Sequence, residues 1–201
     1  MKKNSKLVSA VLVLVFIFGT IGASGCGMKS IPTAQNDVDA SWAEVLNQFK
    51  RRADLIPNLV STVKGYAAHE KGTLEAVVEA RAKATQTNVT SDQLNPESMK
   101  KFTQAQGQLS SALSRLMVVV EKYPDLKANE NFKDLQVQLE GTENRVTVAR
   151  QRFIAAVNGF NNLVSVPPES WYNSLFLKLA KKPQFTVDNL DQVKDAPKVQ
   201  F

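Results

Sequence analysis

Phe132, Leu135, Leu139, Thr142, Val146, Ala149, Phe153, Ala156, Phe160 and Leu163 follow one another at alternating three- and four-residue steps. A seam of this length with no internal proline requires one long helix that buries a single stripe against other helices, as coiled-coil seams do. The spacing predicts that helix over about residues 128–164. A second seam, Phe102, Ala105, Leu109, Ala112, Leu116, Val119 and Tyr123, is ended by Pro124 and preceded by Asn95-Pro96-Glu97, an N-cap followed by proline at the first helical position. It predicts a helix over about 96–123. The link from Pro124 to Asn131 is short enough to reverse the chain into an antiparallel neighbour.

Upstream, Val38, Trp42, Val45, Phe49, Ile56, Val63 and Tyr66 share one face, and Leu74, Val77, Val78 and Arg81 resume the pattern. Two helices must be cut from this stretch. Pro57 lacks the N–H that a helix interior needs and disfavours the helical conformation at Ile56, so it is one candidate break. Lys71-Gly72-Thr73 is the other, with Gly72 as a C-terminal cap and Thr73 as the next N-cap. Residues 86–95 read as a polar loop, and Asn88-Val89-Thr90 within it matches a glycosylation sequon by pattern alone. Glycine and proline are rare between Thr33 and Leu163, where Ala, Leu, Val, Gln, Glu and Lys dominate, so the fold class is all-α.

Lys2, Lys3 and Lys6 precede an almost uncharged run from Leu7 to Ala23, which ends at Ala23-Ser24-Gly25-Cys26. A basic start, an apolar core and small residues at its end match a bacterial export signal. Three outcomes fit these residues. Cleavage before Cys26 leaves the only cysteine as a lipidated N-terminus, although Ala23 stands where lipoprotein signals usually carry a larger aliphatic. Alternatively, the run stays uncut as a membrane anchor, or ordinary cleavage releases the chain. In each case the lysines before the run place residues 27–201 on the extracytoplasmic side, periplasmic or extracellular.

The same three lysines supply half of the formal charge of +6, so residues 27–201 carry +3. Their basic residues alternate with acids, which removes the basic stripe that a nucleic-acid partner needs. A single cysteine also excludes an intrachain disulfide, so packing alone holds the fold.

After Leu163 the texture changes. Pro167-Pro168 stops the long helix, Trp171–Lys182 is a short amphipathic helix at best, and Pro183–Phe201 is polar without a period. Trp171, Tyr172, Leu175, Phe176 and Leu179 form an apolar patch that either packs on the helices or touches the membrane surface. The remainder is expected to be a loose tail.

Little in the chain suggests bond-breaking chemistry. His69-Glu70 invites an acid/base or metal reading, but the second histidine of a zincin helix is missing, since position 73 is Thr73 and the chain has one histidine. Neither a Gly-x-Ser-x-Gly elbow nor a phosphate-binding glycine loop is present. No metal or cofactor is expected. The enzymatic alternative is an envelope hydrolase using His69 with Glu70 or Glu79.

The run Arg51-Arg52-Ala53-Asp54-Leu55-Ile56-Pro57-Asn58-Leu59-Val60 resembles the LemA family of bacterial membrane-attached helical proteins. The similarity continues through Val63-Lys64-Gly65-Tyr66-Ala67, His69-Glu70 and Glu79-Ala80-Arg81-Ala82-Lys83-Ala84, then Glu143-Asn144-Arg145-Val146 and Ala149-Arg150-Gln151-Arg152-Phe153. It is good over about 37–165 and poor at the ends. The family tends to show two Tyr-Asn pairs and then Phe-Pro, where this chain has Phe153-Ile154, Phe160-Asn161 and Val166-Pro167. The resemblance implies an antiparallel four-helix bundle over 33–165, behind a signal or anchor segment at 1–26, with a short helix and tail over 166–201. It carries no established enzymatic activity.

Arg52, Asp54, Asn58, Glu70, Glu79, Arg81, Asn144, Arg145, Arg150 and Asn161 lie on the inner edges of the expected helices. They either pair with one another across the helices or form a partner site. In the second case Arg51, Arg52, Asp54 and Asn58 flank the Pro57 break, with His69 and Glu70 nearby, and offer groups the helix cannot use. The expected function is a scaffold or interaction module at the cell envelope, held to the membrane through its N-terminus and bound to a protein partner.

Overall fold

The computed structural model describes residues 25–185, and every regular element among them is helical. Helix α1 spans Gly25–Tyr66, α2 Lys71–Gln86, α3 Pro96–Val120, α4 Pro124–Ala128, α5 Glu130–Ser165 and α6 Glu169–Tyr172. A 3-10 turn at Ser91–Gln93 precedes α3, and a π-helical turn at Asn173–Leu177 follows α6. No described helix is long and apolar enough to cross a membrane. The apolar run 7–23 lies outside the described residues, as do residues 186–201.

Helix α3 starts at its expected cap, Asn95. The Asn95 side chain accepts from Ser98 N at 2.9 Å while Ser98 Oγ accepts from Asn95 N at 3.0 Å, satisfying two orphan donors at once. Asn129 caps α5 with one such bond, accepting from Phe132 N at 3.0 Å. The end of α3 falls three residues short of Tyr123. Pro124 opens the one-turn helix α4, whose Leu126 is fully buried, and that turn makes the reversal.

Neither expected break in the first half is where the chain turns. Helix α1 runs straight through Pro57, and the turn comes at Ala67–Glu70. Gly72 and Thr73 therefore belong to the first turn of α2, whose N-cap is Glu70. The segment 86–95 is also more than a polar loop. Val89 is buried, and its carbonyl accepts the Trp42 indole N–H at 2.7 Å.

Contacts between α1 and α5 run antiparallel: Glu44 meets Arg152 at 2.7 Å, Arg52 meets Glu143 at 2.5 Å and Tyr66 OH accepts from Asn129 at 3.0 Å. Helix α2 folds back on α1, and α3 packs on α2. The apolar interior is in two parts. Ile56, Leu59 and Val63 pack with Leu74, Val77, Leu109, Leu116 and Phe132 at one end. Trp42, Val45 and Phe49 pack with Phe102, Phe153 and Phe160 at the end nearer the start of α1.

In the α5 seam Phe132, Leu139, Thr142, Val146, Ala149, Phe153 and Phe160 are buried and Leu135 is half-buried, and beyond Phe153 one of its two columns changes by one residue. Val157 and Val164 are buried there, while Ala156 and Leu163 are only half-buried. A straight α-helix drifts by about 20° per heptad against a strict seven-residue repeat, so over four heptads the inward stripe moves to the next column.

The C-terminal segment is less loose than its composition suggests. Phe185 inserts beside Trp42 and Phe153, with ring centroids at 6.0 and 5.6 Å. Asn161 holds the returning chain by accepting from Lys182 N at 2.8 Å and donating to Lys182 O at 2.9 Å. Asn173 makes the same pair of bonds with the Leu179 backbone, both at 3.0 Å. The expected apolar patch divides: Tyr172 and Leu179 pack against the interior, whereas Trp171, Leu175 and Phe176 stay exposed.

Candidate functional site

The two apolar clusters meet at a polar layer built around Arg52. Val45, Arg52 and Leu59 occupy one heptad column of α1, so the helix that buries its neighbours must bury the guanidinium too, and Arg52 is only 2% exposed. Its Nη1 donates to Glu143 Oε1 at 2.5 Å and to Ser110 Oγ at 3.1 Å, and its Nη2 donates to Gln106 Oε1 at 2.6 Å. One planar fork thus ties α1 to α3 and α5. Phe49, one turn earlier, lies 5.0 Å from the guanidinium carbon. Arg52 Nε and Gln48 Oε1 are buried without hydrogen-bond partners. A cleft of about 150 Å³ opens on this layer, lined by Arg52, Glu143, Gln106, Arg150 and Phe185 among others. Burial pushes the Arg150 guanidinium down from its ordinary value against the pull of Glu143, and its carbon lies 4.4 Å over the Phe185 ring.

Pro57 has a second arginine assigned to it. A proline inside a helix leaves the carbonyl four residues earlier without its N–H donor, here that of Ala53, a buried residue. Arg81 Nε, from α2, donates to Ala53 O at 2.7 Å. The group released by the proline is therefore used inside the protein. Removing the donor in Arg81→Ala is expected to cost about 1–3 kcal/mol, the range for orphaning a buried polar group. In a Pro57→Ala background the restored N–H replaces the lost donor, so the cost should shrink by about 1 kcal/mol in a double-mutant cycle followed by urea unfolding. Equal costs in both backgrounds would show that Arg81 and Pro57 are not linked.

The structure separates the expected partner residues. Arg52 is interior and cannot face a partner while the helices are packed. Arg51, Asp54, Pro57 and Asn58 are exposed on α1, with Asp54 bonded to Lys50 at 2.9 Å one turn back. His69 is exposed in the turn between α1 and α2. The Glu70 carboxylate accepts from Tyr123 OH at 3.2 Å, and burial together with that carboxylate pushes the phenol up from its ordinary value. Glu79 pairs with Lys83 at 2.8 Å, which lowers its pKa, about 13 Å along α2 from Glu70. Asn144 and Arg145 are exposed, whereas Arg150 and Asn161 are half-buried. Among the described residues no group of acids, histidine or cysteine has the geometry of a metal site. Cys26 lies on the α1 backbone close to its start.

Fold and site together define an all-helical protein whose interior charges serve as cross-links between helices. Residues 41–201 match the LemA family, and the chain belongs to that family. Among curated relatives, Protein LemA of Metamycoplasma hominis is 22% identical over 165 residues, covering 82% of this chain and 68% of the relative. Magnetosome protein MamQ 2 of Paramagnetospirillum magneticum is 23% identical over 170 residues, covering 76% of this chain and 62% of its own. Magnetosome protein MamQ of Magnetospirillum gryphiswaldense is 24% identical over 153 residues, and the match spans 56% of its length.

Proposed function

We propose that the chain is a membrane-attached scaffold or interaction protein of the bacterial cell envelope. In this reading α1, α2, α3 and α5 form an antiparallel four-helix bundle on the extracytoplasmic side, and the exposed α1 face around Arg51, Asp54 and Asn58 meets a protein partner. One observation carries the proposal: Arg52 and Arg81 are spent on holding helices together, while Arg51, Asp54 and Asn58 stand exposed on one face of α1, with Asp54 at the edge of a cleft of about 320 Å³. An exposed polar helix face suits recognition, whereas hydrolysis needs a general acid and a general base converging on one bond. The names of the relatives, none of them that of an enzyme, agree with this reading.

The membrane end is assigned to Cys26 carrying a lipid, with an uncut Leu7–Ala23 run as the competing attachment. Cys26→Ser separates the two: loss of lipid labelling and an uncut precursor are expected, and normal processing of the variant would assign the attachment to the apolar run. Partner binding is tested by placing a photo-reactive residue at position 58 in the full chain in intact cells. A discrete adduct with a second envelope protein is expected from position 58. Its absence, with adducts formed from other faces, would overturn the assignment of the α1 face.

A further inference from the structure

Trp171, Leu175 and Phe176 are 65%, 70% and 69% exposed, yet the turn that carries them is firmly held. Asn173, itself buried, grips the Leu179 backbone and also reaches Val164 O, Lys178 N donates to Asn173 O at 2.6 Å, and Tyr172 stacks on Phe176 at 5.0 Å while packing against the interior. Lys178 adopts φ 52°, a left-handed conformation costly for a residue with a side chain, to close this turn. The fold therefore presents three large apolar side chains to the outside from a fixed platform. Exposed Lys178 and Lys181 follow them directly, and residues 166–185 contain three lysines against Glu169 alone.

The position of this platform narrows what covers it. Arg152 lies opposite Glu44, so Ser165, about 20 Å further along α5, ends level with residue 31 of α1, only about 9 Å from Gly25. The returning chain is tied back at Asp39 by Lys182 at 3.3 Å, which neutralises one of the two acids in that part of α1 and leaves Asp37. Residues 169–177 thus stand at the end of the helical body from which the chain leads directly into the apolar run Leu7–Ala23. Tryptophan and phenylalanine flanked by lysine are the side chains that settle into the headgroup region of an anionic bilayer.

We propose that this tip is a second membrane contact, with Trp171, Leu175 and Phe176 entering the interface of the same bilayer that holds the N-terminal segment and Lys178 and Lys181 facing its anionic headgroups. The proposal rests on the membrane attachment argued above. Two points of contact fix the tilt of the helical body at the membrane, where a single N-terminal attachment leaves it free to swing.

The chain has two tryptophans, and Trp42 is buried, so quenching from outside reports on Trp171. The full chain is reconstituted in phosphatidylglycerol-containing vesicles whose lipids carry bromine high on the acyl chain. Trp171 emission should fall, as expected for an indole seated at the interface, and resist aqueous iodide. Trp171→Phe should abolish the quenching, and Leu175→Glu with Phe176→Glu should abolish it while the protein still floats with the vesicles. Flotation with Trp171 open to iodide, or shielded from both quenchers by another protein surface, would overturn the second contact alone. Failure to float would remove the membrane attachment itself, and this proposal with it.

Discussion

Arg52→Ala should lower the unfolding free energy by about 3 kcal/mol, toward the lower end of what breaking a buried ion pair costs. Glu143 is 49% exposed and can turn its carboxylate to water, so it contributes little of the loss. The larger part falls on Gln106, which is buried and would keep its Oε1 without the donor at 2.6 Å, and on the space left beside Phe49. Arg52→Met should lose about half as much, because its side chain refills that space, while both substitutions equally delete the unpartnered Nε. Urea unfolding decides the matter through the midpoint at constant slope. A loss below about 1 kcal/mol for Arg52→Ala would mean that the layer does not hold the helices together.

Phe153→Ala should be at least as damaging, about 3–5 kcal/mol. The ring is 0% exposed, lies 5.1 Å from Trp42 and 5.6 Å from Phe185, and joins α5 to α1 and to the returning C-terminal chain. Its removal leaves a cavity that neighbours on three different segments cannot all close. Trp42 emission should shift as its packed surroundings loosen, alongside the fall in chemical stability. An unchanged spectrum with a loss below about 1 kcal/mol would place Phe153 outside the core.

Much of this interior was readable from spacing. The seams of α3 and α5 located both helices to within a few residues, since a long repeat leaves few ways to bury one stripe. Gln106 carries a signal of its own: it sits in the heptad column Met99, Leu113, Val120, all buried, as the one polar member. Arg52 interrupts Val45 and Leu59 in the same way, so the two interruptions together mark a layer. The turn falls at Ala67–Glu70, directly before the Lys71–Thr73 candidate, and not at Pro57, whose freed Ala53 carbonyl finds its donor in Arg81, 28 residues away. Phe185 was illegible for a similar reason. It belongs to no periodic element, and only the aromatic cluster of Trp42 and Phe153 gives it a place.

The central claim, that the chain works through an exposed α1 face and not through a catalytic group, is tested most directly by in-cell crosslinking of two full-length variants. One is His69→Ala, and the other changes Arg51, Asp54 and Asn58 to Ala, all exposed positions where substitution should alter stability by no more than about 0.5 kcal/mol. The account predicts that the His69 variant keeps its partner adduct and its activity in cells, while the triple variant stays folded and loses most of the adduct. A folded but inactive His69→Ala protein beside a fully active triple variant would contradict it and favour the hydrolase that pairs His69 with Glu70 or Glu79.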